Sequence, residues 1–129
     1  MRLQEEARGE HSLLRVSGAA TRGPTCEALS GALLRAESER SGNVLLEAHE
    51  LTQLDSTALG VLVGAVRRLN GSGRELILVN PDRRIRVLLE LTRLSGLFPS
   101  YPTVEAAVAA HDRRSKGDAS LGDRNRRDL

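Results

Sequence analysis

Asp55, Ser56 and Thr57 are the three adjacent residues with the most chemistry to offer in this sequence. They stand directly before Ala58-Leu59-Gly60-Val61-Leu62, where an apolar stripe at three- and four-residue spacing begins. A carboxylate and two hydroxyls at the entrance to a helix have two readings. In the first they are caps, because Asp, Ser and Thr accept hydrogen bonds from the helix's first unpartnered N–H groups. The second uses the same electrostatics. A helix N-terminus holds about half a positive charge, and a first-turn hydroxyl stands in solvent, so a phosphate attached there is stabilised without disturbing the core. A phosphoserine adds about −1.5 to −2 charges, enough to eject a docked protein from a domain that stays folded. Spacing alone leaves both readings open.

Other chemistries find little support. The single Cys26 excludes a disulfide framework and a Cys-based zinc site. At the start of an apolar helix it reads as a small buried hydrophobe, with a thiol sensor as the competing reading. His11, His49 and His111 lie far apart, without a short metal-ligand spacing, so no metal is expected. The stretch NGSGRE at 70–75 does not fit a phosphate-binding loop, and there is no catalytic triad or acid–base carboxylate pair. The chain reads as a non-enzyme without a cofactor. Its two aromatics, Phe98 and Tyr101, leave almost nothing on which to stack bases.

Charge points the same way. The 129 residues hold 19 basic and 17 acidic side chains, and the last 18 residues take six and four of these, leaving 13 of each in residues 1–111. The basic excess belongs to the tail, which argues against a nucleic-acid footprint on the domain. The arginines at 67, 68, 74, 83, 84 and 86 read as a solvated face. No apolar run approaches the ~20 residues of a membrane span, and the first residues contain no signal-like apolar core. A soluble cytoplasmic protein is the expectation.

The elements that must position Asp55–Thr57 follow from hydrophobic period. Leu13–Val16 reads as a short strand, with an antiparallel edge strand before it. Cys26–Ala36 reads as a helix capped by Thr25. Asn43–Ala48 is a strand apolar on both faces, and HELTQL at 49–54 reads as a loop. A helix runs from the Asp55 turn to Asn70-Gly71, followed by a strand at 75–79. A third helix opens at Asn80-Pro81-Asp82 and turns Ile85, Leu88, Leu89 and Leu91 inward. A short strand within 97–101 and a helix at 104–110, capped by Thr103, complete the pattern. Helical crossovers give mostly parallel neighbours. The chain thus divides into a domain at 1–111 and a disordered basic tail at 112–129, with a binding arm as the competing reading of the tail.

DSTALG at 55–60, NGSGRELILV at 70–79 and LSGLF at 94–98, in this order, resemble the STAS domain of bacterial anti-sigma factor antagonists over roughly residues 12–110. The resemblance implies an α/β fold, a mixed sheet of four to five strands with four to five helices packed on it. It further implies phosphorylation of Ser56 by an anti-sigma factor, a serine kinase of the GHKL ATPase fold. The unphosphorylated antagonist binds that kinase and frees a sigma factor. The phosphorylated form lets go, and a PPM-type phosphatase resets it. Asp55 would orient the Ser56 hydroxyl, and the partner surface would comprise Asp55, Ser56, Thr57, Ala58, Gly18 and Thr21. Two positions and the basic tail depart from the family pattern. Ala58 replaces a usual Gly, which stiffens the first turn and sets a methyl in the partner's way. Thr21 replaces an acidic residue. The rival implications are a STAS subunit on an ABC transporter ATPase or stressosome-like scaffold, and a small-molecule site at the strands' carboxyl ends.

Overall fold

A computed structural model describes the backbone through residue 121 and the side chains through residue 112. Five strands form one sheet in the order β1-β2-β3-β4-β5. β1 (Arg2–Arg8) and β2 (His11–Ala20) pair antiparallel as a hairpin. β3 (Val44–Leu54), β4 (Leu76–Val79) and β5 (Ser100–Tyr101) extend the sheet in parallel. The crossovers are α1 (Pro24–Glu39), α2 (Ser56–Asn70) and α3 (Arg83–Leu91), the last followed by a 3₁₀ turn at Ser95–Leu97, and α4 (Val104–Leu121) follows β5.

The apolar runs of the central strands serve two cores. Leu14, Val44, Leu46, Leu76 and Leu78 face α1, α2 and α3, where Leu29, Leu33, Leu62, Leu69, Ile85 and Leu89 meet them with Phe98. Leu13, Leu45, Ile77 and Val79 face the opposite way and are covered by Val104 and Ala107 of α4. Alternation along a strand thus fills both faces, as expected for a sheet covered on both sides.

The strands are longer than the apolar runs, and HELTQL is strand rather than loop. The reason lies in the pairing. Arg15 pairs Glu47 while Ser17 pairs Glu50, and Gly18 pairs Leu51 while Ala19 pairs Gln53. Each slip gives β3 one extra residue, a bulge, and turns the two-residue alternation into a spacing of three. Leu51 and Leu54 are both buried on that spacing.

Two further expectations are corrected. Leu91 points into solvent, 78% exposed, because the nine-residue helix is anchored through Ile85 and Leu89 alone on its fully buried side. Thr25 is not the cap of α1. That position is Gly23, at φ 96, and the Thr25 hydroxyl bonds back to the Thr21 carbonyl at 2.6 Å. Thr103 does cap α4, accepting the Ala106 N–H at 3.0 Å. Helix α4 continues to Leu121, past the expected tail boundary at 112, since a helix seated by its first turns needs no apolar stripe to propagate. The rest of that tail, 122–129, lies outside the described residues.

Candidate functional site

β3 ends at Leu54, and the next residue turns the chain into α2. Asp55 is the N-cap of α2. Its Oδ1 accepts the Ala58 N–H at 2.9 Å, while Oδ2 accepts the Arg22 N–H at 2.7 Å from the loop after β2. Its own N–H donates to the Ala20 carbonyl at 3.3 Å. The Ala58 N–H first, then the Arg22 N–H, with lesser help from the Thr57 N–H and the Arg22 charge, hold the carboxyl below its ordinary value against the opposing effect of burial. One carboxylate therefore joins the β2–α1 loop to the β3–α2 turn, which the sequence had placed in two separate parts of the chain.

This revises the role expected for Asp55. Both of its oxygens are engaged by backbone amides, and the described hydrogen bonds include none to the Ser56 hydroxyl. Asp55 fixes the turn, and through the turn the position of Ser56. Ser56 and Thr57 are exposed on the first turn of α2. Both hydroxyl-bearing residues thus stand at the positive end of a fifteen-residue helix.

The remaining expected site residues separate. Ala58 has no exposed surface and belongs to the main core, so its methyl cannot meet a partner. It influences the site only through the stiffness of the turn. Gly18 is half-buried at φ 90, and a Cβ there would come within 3.1 Å of the Met1 Cα. Its place in the hairpin favours glycine on conformational grounds, and a side chain there would also press on the first residue. Thr21 is half-buried, and its N–H donates to the Thr25 hydroxyl at 3.1 Å. Arg22, absent from the expected set, is exposed and has its backbone tied to Asp55.

A small-molecule site would need an apolar pocket with convergent polar groups beside Ser56. A recess of about 310 Å³ lies instead over the uncovered part of the sheet, lined by Arg2, Arg15, Ser17, Glu47 and His49. Its walls are charged, with Arg15 paired to both Glu47 and Glu6, and it includes none of Asp55, Ser56 or Thr57.

At the opposite end of the sheet the fold assembles a second polar cluster. His11 is buried and stacks edge-on with His111 at 4.6 Å between ring centres. Glu10 lies 2.9 Å from His111 Nε2 and 4.0 Å from His11 Nε2. The Asn43 N–H donates to His11 Nδ1 at 2.9 Å, and the Asn43 side chain accepts the Glu75 N–H at 2.9 Å. The ligand atoms of Glu10, His11 and His111 all fall within 4.8 Å of one another. Their hydrogen bonding does not suit a metal. A His11 that accepts at Nδ1 carries its proton on Nε2, the atom a metal would need with a lone pair. The cluster is a hydrogen-bonded seam between the β1–β2 hairpin and α4. Burial first and the neighbouring His111 second lower the His11 pKa, against the raising effects of Glu10 and Asp112.

Comparison with known proteins places this geometry. A protein of Thermotoga maritima, provisionally named an anti-sigma factor antagonist, is 29% identical over 65 residues, half of this chain and 58% of that protein's length. A crystal structure of an anti-sigma factor antagonist from that organism superposes with a TM-score of 0.72 at 18% identity, over 84% of this chain and 92% of the other. Unphosphorylated SpoIIAA, an anti-sigma factor antagonist, superposes with a TM-score of 0.69 at 20% identity, over 96% of this chain and all of the other. A STAS domain protein from Planctomyces limnophilus gives 0.73 at 15% identity, over 84% and 96%. The family model of the STAS domain matches residues 3–107, and the chain belongs to the STAS domain family.

Proposed function

We propose that this protein is an anti-sigma factor antagonist. It binds an anti-sigma factor, a serine kinase of the GHKL fold, and so releases a sigma factor until phosphorylation of Ser56 ends the complex. The observation that carries the reading is the exposed Ser56 on the first turn of α2, held there by a cap that also ties down the neighbouring loop. The names of the similar proteins, SpoIIAA in unphosphorylated and phosphorylated form among them, support the same class of function. In the transfer, Ser56 Oγ forms a bond to the γ-phosphorus of ATP and the bond to the β-phosphate oxygen breaks. ADP leaves, and the hydroxyl proton passes to a base of the kinase.

The added charge acts at the partner surface and leaves the fold intact, because a phosphate at a helix N-terminus meets favourable N–H dipoles. Asp55, Ser56, Thr57 and Thr21 form the contact surface, with Arg22 beside them. Gly18 shapes the loop from within the hairpin, and Ala58 shapes the turn from within the core. The protein supplies a substrate hydroxyl and a docking face, and performs no catalysis of its own. A PPM-type phosphatase restores the hydroxyl.

The deciding experiment incubates the protein with ATP, Mg²⁺ and individual GHKL-type serine kinases and follows intact mass. One phosphate added to the native chain and to Thr57→Ala, with none added to Ser56→Ala, is the expected result. Phosphate on Ser56→Ala assigns the wrong hydroxyl here. Stable capture of an ABC ATPase without any phosphate transfer replaces the reading with that of a transporter subunit.

A further inference from the structure

Among the described residues, five large apolar side chains stand substantially in solvent, and three of them fall within eleven positions of one another: Val87, Leu91 and Leu97. Single exposed apolar residues carry no message, but a cluster does. Arg83, Val87 and Leu91 recur every four residues and so share one face of α3. The 3₁₀ turn brings Leu97, 41% exposed, just after the same helix.

The surrounding charge is predominantly positive. Residues 82–93 hold four arginines against Asp82 and Glu90, in a domain whose charges cancel as a whole. Asp82 is spent as the cap of α3 and in an ion pair with Arg84 at 2.9 Å. Arg83, Arg86 and Arg93 are exposed and have no ion pair among the described residues. An apolar strip rimmed by unpaired guanidinium groups asks for apolar anchors flanked by carboxylates.

We propose that the outer face of α3 docks an acidic amphipathic helix of a partner protein, with anchors at i and i+4 seated against Val87 and Leu91. Charge decides between the occupants. Two copies meeting α3 to α3 would oppose like charges. The chain's own C-terminal residues 112–129, six basic and four acidic, repeat the sign of the rim. The strip runs about 12 Å along the helix axis from Arg83 to Leu91, the length of two turns of a bound helix. This face is a separate surface from the Ser56 turn, and its occupancy does not depend on phosphorylation.

The probe is a synthetic, end-blocked helical peptide with leucines at i, i+4 and i+7 between glutamates, titrated into ¹⁵N-labelled full-length protein. The expected result is amide shifts confined to residues 83–97, with affinity falling as salt is raised. Leu91→Asp weakens binding at least about tenfold, Arg86→Glu and Arg93→Glu weaken it further, and Ser56→Asp leaves it unchanged. Leu91 is so exposed that its replacement spares the fold, which circular dichroism checks, and the two arginine reversals test the face independently. Several results overturn the proposal: shifts elsewhere, equal binding of a peptide with lysines for the glutamates, or unchanged binding by Leu91→Asp and Arg86→Glu. Two more do so by naming another occupant. These are self-association abolished by Leu91→Asp in sedimentation, and binding to phosphatidylglycerol vesicles with no binding of the acidic peptide.

Discussion

The two ends of the sheet use polar residues in opposite ways. At the carboxyl ends of β2 and β3, Asp55 gathers backbone amides from two loops and leaves Ser56 and Thr57 in solvent. At the other end of the sheet, His11 and Asn43 are buried and turn their hydrogen bonds inward, to a strand end, a hairpin and α4. The first arrangement presents a group, and the second closes a seam. A polar residue contributes to stability in proportion to what its loss leaves unsatisfied in the interior. Contact chemistry therefore resides where that cost is smallest.

The largest effect is expected in the seam. His11→Ala leaves the Asn43 N–H without its acceptor and opens a cavity, and should cost about 2–4 kcal/mol in urea unfolding. If it proves as mild as a surface substitution, the seam is not structural. Gly42→Ala comes next. Its Cβ would stand 2.6 Å from the Glu10 carbonyl oxygen and 2.5 Å from His11 Nδ1, an overpacking expected to cost about 1–3 kcal/mol.

Acid should distinguish the two ends. The His11 pKa is lowered in the fold, so the unfolded chain takes the proton first. Stability is then level above about pH 6.5 and falls as pH drops below it, by at most about 1.4 kcal/mol per pH unit for one proton. Protonation also turns Nδ1 into a donor facing the Asn43 N–H. His11→Gln should flatten this slope between pH 6.5 and 5. The Asp55 pKa is likewise lowered, but for a carboxylate the contribution is present above its ordinary value of 3.8 and disappears as pH falls through the folded value. Asp55→Asn should therefore lower stability by a constant amount above about pH 4 and remove the Asp55 slope below it. A common midpoint for both limbs would merge two regions that the structure keeps apart.

The smallest expected effect is at Ser56. Ser56→Ala and Ser56→Asp should each change stability by no more than about 0.5 kcal/mol, while Ser56→Asp abolishes binding to the anti-sigma factor and Ser56→Ala retains it, as read by calorimetry. A Ser56→Asp protein that binds with native affinity would separate this surface from partner switching. Asp55→Ala should preserve the fold, accelerate amide exchange at Arg22 and Ala58 together, and weaken that binding too.

Much of the fold was legible because central strands and amphipathic helices announce themselves by period. The apolar runs at Leu45–Leu46 and Ile77–Val79, and the stripe from Leu59 to Leu69, locate β3, β4 and α2. HELTQL misled because bulges replaced alternation with a spacing of three, and a bulge is specified by the partner strand. Leu91 misled because helical period alone cannot show how far a neighbouring layer extends. At the site, the Asp-Ser-Thr turn was visible as both cap and chemistry, since both depend on local backbone geometry. The Arg22 contact was not, because it joins residues 33 positions apart.

The sequence by itself determined the period, the caps and the hydroxyl at the head of α2, which are local properties read within a few residues. Only the tertiary structure decided that Ala58 faces inward while Ser56 faces out, and that Asp55 holds a distant loop. It alone also set His11 beside His111, a hundred positions apart. Those outcomes depend on which layers the sheet brings together, and contacts across a sheet are fixed by pairing and packing between distant segments.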